Sequence, residues 1–201
     1  MKRLTPGLVA LVMAAAGCIP TPPPPADLVI GDSNTVGSSW ATTMGTNCAP
    51  DVWAWGGVGV YWGSPTYAGG MSLLNQYETI LAYHPGEHVV VMLGTNDAVH
   101  TNQPIPTAAQ LNTLAGQMVD AGAASVRWMT IPPVAPSLPA AKQQRVADWN
   151  TAILGTPEAI DVRAALGTTL DPTERVDNVH LSQNGHGALA YVTASTTVCP
   201  H

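Results

Sequence analysis

Basic residues are scarce in this chain. Its 201 residues carry 7 Lys and Arg against 13 Asp and Glu, a formal net charge of −6, and the only lysines are Lys2 and Lys142. That balance offers little to neutralise a run of phosphates, which argues against nucleic acid and anionic membrane surfaces as partners. Cysteine is limited to Cys18, Cys48 and Cys199, none with a His or another Cys at zinc-ligand spacing, so no metal site is indicated and no cofactor is called for. There is no run of like charge and no internal repeat. The chain does have 46% hydrophobic residues, enough at this length to bury one substantial core, and the expectation is a single monomeric domain.

The N-terminus has its own character. Lys2-Arg3 followed by the apolar stretch Leu8 to Ala16 has the charged and apolar regions of an export signal, and that stretch is too short for a permanent membrane span. Residues 1–17 are therefore read as a signal peptide. Ala15-Ala16-Gly17-Cys18 resembles the lipobox of bacterial lipoproteins, which makes Cys18 a candidate lipidation site; an ordinary secretory signal cut near the same residues is the alternative. Residues 18–26 hold Pro20, Pro22, Pro23, Pro24 and Pro25 and read as a stiff extended tether, leaving 27–201 as the folded domain. If Cys18 carries lipid, Cys48 and Cys199 remain as an even pair in an oxidising compartment and are read as a disulfide. Localisation is then the cell surface, through the Cys18 anchor, or the medium. Contact with membrane is confined to that anchor.

Along the folded part, short Val- and Ile-rich runs alternate with helix-like stretches. Leu28 to Ile30, Val52 to Trp55, His88 to Leu93, Val126 to Ile131 and Ala159 to Val162 are nearly continuous in apolarity, as strands of a parallel sheet covered on both faces are. Ser72 to Ala82, Thr107 to Ala121, Ala140 to Leu154 and Gln183 to Thr193 read as helices; Thr107 is placed to cap the second, and Leu111, Leu114 and Met118 form its buried stripe. The fold class is α/β, a three-layer α/β/α sandwich on a parallel five-stranded sheet. Ligands of such sheets bind beyond the carboxyl ends of the strands.

Chemistry-bearing residues gather at those ends. Gly31-Asp32-Ser33-Asn34 follows the first strand, Gly94-Thr95-Asn96-Asp97 the third, and Asp177-Asn178-Val179-His180 lies near the end of the chain. A serine hydroxyl is a poor nucleophile at neutral pH and needs an imidazole to take its proton, usually with a carboxylate to fix the imidazole's tautomer. Each motif alone is weak; their order and placement carry the reading. The nucleophile elbow Gly-x-Ser-x-Gly fails, because Thr35 stands where it needs Gly. A chymotrypsin-like protease fails too, because there the serine follows the His and Asp.

On these motifs the chain resembles the SGNH/GDSL hydrolase superfamily from Leu28 to about Thr197. The resemblance implies a flavodoxin-like SGNH hydrolase fold and an esterase working through an acyl-enzyme. Ser33 would be the nucleophile, at the end of the first strand and the start of the first helix, with His180 as general base and Asp177 as its orienting acid. Ser33 N–H and the Asn96 amide would serve the oxyanion hole. In Trp53-Ala54-Trp55-Gly56-Gly57-Val58-Gly59 the family spacing points to Gly59 as the third donor, with Gly57 the alternative, since the Asn usual just upstream is replaced here. Asp32 and Asp97 are expected to orient loops.

The implied substrate is a small-molecule or carbohydrate ester, with short acyl groups such as acetyl expected because no long lid insertion is present. Trp40, Trp55, Tyr61 and Trp62 lie around the first two motifs, as core or as a cleft wall. His84, His88, His100, His186 and His201 match no motif and are read as surface or structural, with His100 near the cleft rim. Two rival functions use the same fold: acyl transfer to a sugar hydroxyl, and ester-free surface binding.

Overall fold

A computed structural model describes residues 27–42, 50–167 and 169–196. The signal peptide, the tether, Cys18, Cys48, Cys199 and His201 lie outside the described residues. Four strands, β1 (Leu28–Gly31), β2 (Asp51–Ala54), β3 (His88–Met92) and β4 (Ser125–Trp128), form one parallel sheet in the order β2-β1-β3-β4. Leu28 stands opposite Asp51 on one side and Val89 on the other, and His88 opposite Ser125. The inner strands β1 and β3 are buried almost throughout, which is why both read as unbroken apolar runs rather than alternating ones. At the edge, β2 keeps two residues exposed.

The expected fifth strand is present as a contact rather than a ladder. Ile160 makes a parallel bridge to Met129, with Thr130 N–H on Ile160 O at 2.9 Å and Ile160 N–H on Trp128 O at 2.8 Å. The chain leaves this pairing at once for a short helix at Arg163–Leu166, so only one residue pair forms.

Seven helices accompany the sheet among the described residues: α1 (Ser39–Thr42), α2 (Leu73–Tyr83), α3 (Thr95–His100), α4 (Ala108–Asp120), α5 (Ala140–Leu154), α6 (Arg163–Leu166) and α7 (Gln183–Thr196). α4 starts where its cap dictates: Gln110 N–H donates to Thr107 Oγ1 at 3.2 Å while Gln110 Oε1 accepts Thr107 N–H at 2.8 Å, a reciprocal capping box. Its buried residues are Leu111, Leu114 and Met118. The helices pack in two groups, α2, α4, α5 and α3 in one and α1, α6 and α7 in the other, giving the α/β/α layering. No described helix is long and apolar enough to cross a membrane.

Candidate active site

Three loops at the carboxyl end of the sheet supply the site. After β1 the chain turns tightly, with Thr35 and Val36 N–H groups both on Asp32 O at 2.8 and 3.1 Å. Ser33 lies in this turn, and α1 begins only at Ser39. The expectation that Ser33 opens a helix is therefore corrected: its surroundings come from turn amides, not from a helix terminus.

The second loop, residues 56 to 64, is shaped by one buried carboxylate. Asp97 accepts Val60 N–H on Oδ2 at 2.7 Å and the Tyr61 and Trp62 N–H groups on Oδ1 at 3.0 Å each. Burial pushes the Asp97 carboxyl up to about 6, against the lowering effect of those amides. Asp97 is presented by α3, which follows Gly94 as its N-cap, a residue at φ +132° where a Cβ would run into the Trp149 indole. Trp149 in turn donates from Nε1 to Leu93 O at 3.1 Å. Next to Asp97, Asn96 donates one amide hydrogen to Val58 O at 2.8 Å, which leaves its second for the cavity it lines.

The third loop carries the acid and the base. Asp177 Oδ1 accepts the Val179 and His180 N–H groups at 2.7 and 2.8 Å, and its Oδ2 lies 2.7 Å from His180 Nδ1. Partial burial raises the Asp177 carboxyl, but the His180 and Val179 hydrogen bonds outweigh it and hold the group below its ordinary value. An ionised Asp177 takes the Nδ1 proton as its partner, which leaves Nε2 as an acceptor. Ser33 Oγ lies 2.9 Å from that Nε2. The structure thus brings Ser33, His180 and Asp177 into one hydrogen-bonded chain.

They open into a cavity of about 650 Å³ lined also by Gly56, Gly57, Trp62, Tyr67, Asn96 and His100. Gly59 is not part of that lining. Its N–H donates to Trp62 O at 2.7 Å, and the Asp97 carboxylate occupies the place a Cβ would take. Gly57, at φ +81°, faces the cavity instead. Trp62 stacks on His100 with ring centroids 5.9 Å apart and 26° between planes. Burial, then the Lys142 and His180 charges, lowers the pKa of His100, so the wall is uncharged at neutral pH. Trp40 belongs to the core, fully buried, whereas Trp55 is exposed.

Two polar features escaped the sequence reading. One is Asn34, whose partners lie on the third loop. The other lies at the opposite end of the sheet, where His84 Nδ1 sits 3.5 Å from Asp51 and 3.2 Å from Glu87 in a polar cluster. Their only signal along the chain was polarity.

The model of the GDSL-like Lipase/Acylhydrolase family matches residues 29–188. The chain belongs to that family. It is an ester-hydrolysing enzyme of the GDSL type. No curated protein matches it. Among solved structures it is similar to an aryl esterase from M. smegmatis, at 19% identity over 84% of this chain and 95% of that one, with a TM-score of 0.63. It is also similar to a variant of an acetyl xylan esterase from Geobacillus stearothermophilus (16% identity, 87% and 96% covered, TM-score 0.58). A carbohydrate acetylesterase from Sinorhizobium meliloti is a third (17%, 84% and 94%, TM-score 0.59). These likenesses establish the shared fold.

Proposed function

We propose that this GDSL enzyme is an exported serine esterase that removes short acyl groups, acetyl above all, from a carbohydrate or other small ester. The observation that carries the proposal is the Ser33–His180–Asp177 chain of hydrogen bonds at the mouth of the cavity. Ser33 Oγ attacks the ester carbonyl as His180 Nε2 takes its proton, and Asp177 stabilises the imidazolium that forms. The tetrahedral oxyanion then sits against the Ser33 N–H, the second Asn96 amide hydrogen and a glycine N–H. For the glycine we assign Gly57 rather than Gly59, whose N–H is already committed to Trp62 O. Collapse expels the alcohol, protonated by His180, and water attacks the acyl-enzyme by the same route.

Two features support a short acyl group on a sugar. The cavity is bounded by the flat Trp62–His100 pair and the exposed Tyr67, an uncharged aromatic surface on which a sugar ring can stack. Two of the structurally similar enzymes are named for acetyl esters of carbohydrates. Export as a lipoprotein through Cys18, or as a secreted protein, fits the N-terminal sequence and belongs to the same proposal.

The test is hydrolysis of p-nitrophenyl acetate, butyrate and octanoate by the domain from Ala26 onward, with Ser33→Ala and His180→Ala as paired controls. Activity falling with acyl length and lost in both folded variants is expected. Full activity in Ser33→Ala would overturn the assignment of the nucleophile. Acetyl transfer to added sugar in preference to water would convert the reading to an acyltransferase.

A further inference from the structure

Ser33 and His180 are 147 residues apart, and His180 sits on a loop, so something must hold the two loops in register. The residue after the nucleophile does this. Asn34 is 1% exposed, and its side-chain amide reaches the peptide groups on both sides of His180. Its Oδ1 accepts Leu181 N–H at 2.9 Å and its Nδ2 donates to Val179 O at 3.4 Å. A backbone neighbour in a parallel sheet would hold residue 180 with the same pair of bonds, one to the carbonyl before it and one from the N–H after it. Asn34 is itself held: its N–H donates to Asp32 Oδ1 at 2.9 Å, and its carbonyl accepts Trp40 Nε1 at 3.0 Å. Other bonds steady the rest of the histidine loop, among them Val176 N–H to His180 O at 3.0 Å and Ala135 N–H to Asn178 O at 2.9 Å. Apart from the Ser33–His180 contact itself, Asn34 makes the side-chain bonds that tie that loop to the nucleophile turn among the described residues.

We infer that Asn34 is a positioning residue, a side-chain clasp that sets the Ser33–His180 distance by fixing the peptide groups flanking His180 to the turn that carries Ser33. The inference rests on the triad reading proposed above. The Leu that ends the Gly-Asp-Ser-Leu of the family's name is apolar and can make neither bond. A buried amide with both polar ends satisfied is a specific connection: an apolar replacement leaves Leu181 N–H and Val179 O without their partner.

The experiment compares wild type, Asn34→Leu, Asn34→Asp, Ser33→Ala, His180→Ala and the double variant Asn34→Leu/His180→Ala on p-nitrophenyl acetate, each shown to be folded by circular dichroism. Asn34→Leu is expected to lower kcat by about ten- to a hundredfold with KM within about twofold, since misplacing a base by a fraction of an ångström acts on the reaction step. Asn34→Asp keeps the acceptor for Leu181 N–H and should lose less. In the His180→Ala background, where there is no imidazole to position, Asn34→Leu should change the residual rate by less than about twofold. A wild-type kcat in Asn34→Leu, or the same fold-loss with and without His180, would overturn the inference. If Asn34→Leu does not fold, Asn34→Asp is carried through the same cycle and judged by the same two criteria. Ser33→Ala separates the failures: a dead Ser33→Ala beside an active Asn34→Leu removes only the clasp, and an active Ser33→Ala removes the triad.

Discussion

Asp32 offers a direct measure of how much stability this site gives up for its chemistry. The side chain is 1% exposed, its Oδ1 accepts Asn34 N–H at 2.9 Å, and its Oδ2 is buried without a hydrogen-bond partner. Burial pushes its carboxyl from 3.8 up to about 6, with the Asn34 hydrogen bond, the neighbouring Thr95 hydroxyl and the His180 charge offsetting part of that rise and Asp97 adding to it. Between pH 3.8 and 6 the folded protein holds this proton while the unfolded chain has lost it. Stability from this group therefore falls as pH rises through that window and is level above it, the reverse of a salt-bridged aspartate. At about 1.4 kcal/mol per unit, the ionised carboxylate costs roughly 3 kcal/mol at pH 8. Asp32→Asn keeps the acceptor for Asn34 N–H, removes the charge and offers an N–H₂ toward the unpartnered Thr95 hydroxyl. Urea unfolding should show the variant equal to wild type near pH 4 and more stable by about 2–3 kcal/mol at pH 8. The same substitution removes an anion that acts on His180, so kcat should fall by about tenfold at pH 8. A variant no more stable than wild type at pH 8, or equally stabilised at pH 4 and pH 8, would refute the reasoning.

Three further outcomes concern the cavity and the loop beside it. Asn96→Ala removes the proposed oxyanion donor and should lower kcat about a hundredfold or more with KM nearly unchanged, read by steady-state kinetics on p-nitrophenyl acetate. Gly59→Ala places a methyl against the Asp97 carboxylate and 2.7 Å from Trp62 O, and should cost about 1–3 kcal/mol in urea unfolding. Trp62→Ala should raise KM for an acetylated xylo-oligosaccharide by about fivefold or more while leaving KM for p-nitrophenyl acetate within about twofold, because only the sugar needs the ring; equal effects on both would place the sugar elsewhere.

What could be read from the sequence is what the chain states locally. β1 and β3 showed themselves because both of their faces are buried, which forces an unbroken apolar run, and α4 because Thr107, Gln110 and its leucine stripe lie within one stretch. Asp177 and His180 could be read as a pair because they are three residues apart, and Asp177 closes its own turn through the Val179 and His180 N–H groups. α3 was not legible: its residues Thr95 to Val99 are all buried, polar and apolar alike, so no stripe marks it. The fifth strand was legible as a segment but not as a single bridge, since apolarity does not say how long a pairing lasts.

The assignment of Gly59 shows where such reading ends and why. Counting residues from the strand places Gly59 at the expected spacing, but backbone direction in a loop is set by what the loop's amides bond to. Here three consecutive N–H groups, from Val60 to Trp62, turn toward Asp97, which lies more than thirty residues further along the chain. Gly59 is then a glycine because a carboxylate approaches it closely, and its own N–H is drawn to Trp62 O. Asn34 follows the same logic across 145 residues. Hydrophobic periodicity is written along the chain and survives in a single sequence, whereas the partner of a buried polar group is chosen by topology. Asn34 bonds the histidine loop, and Asp97 holds the 60–62 amides and so orients that loop as expected, both through hydrogen bonds between segments far apart in the chain.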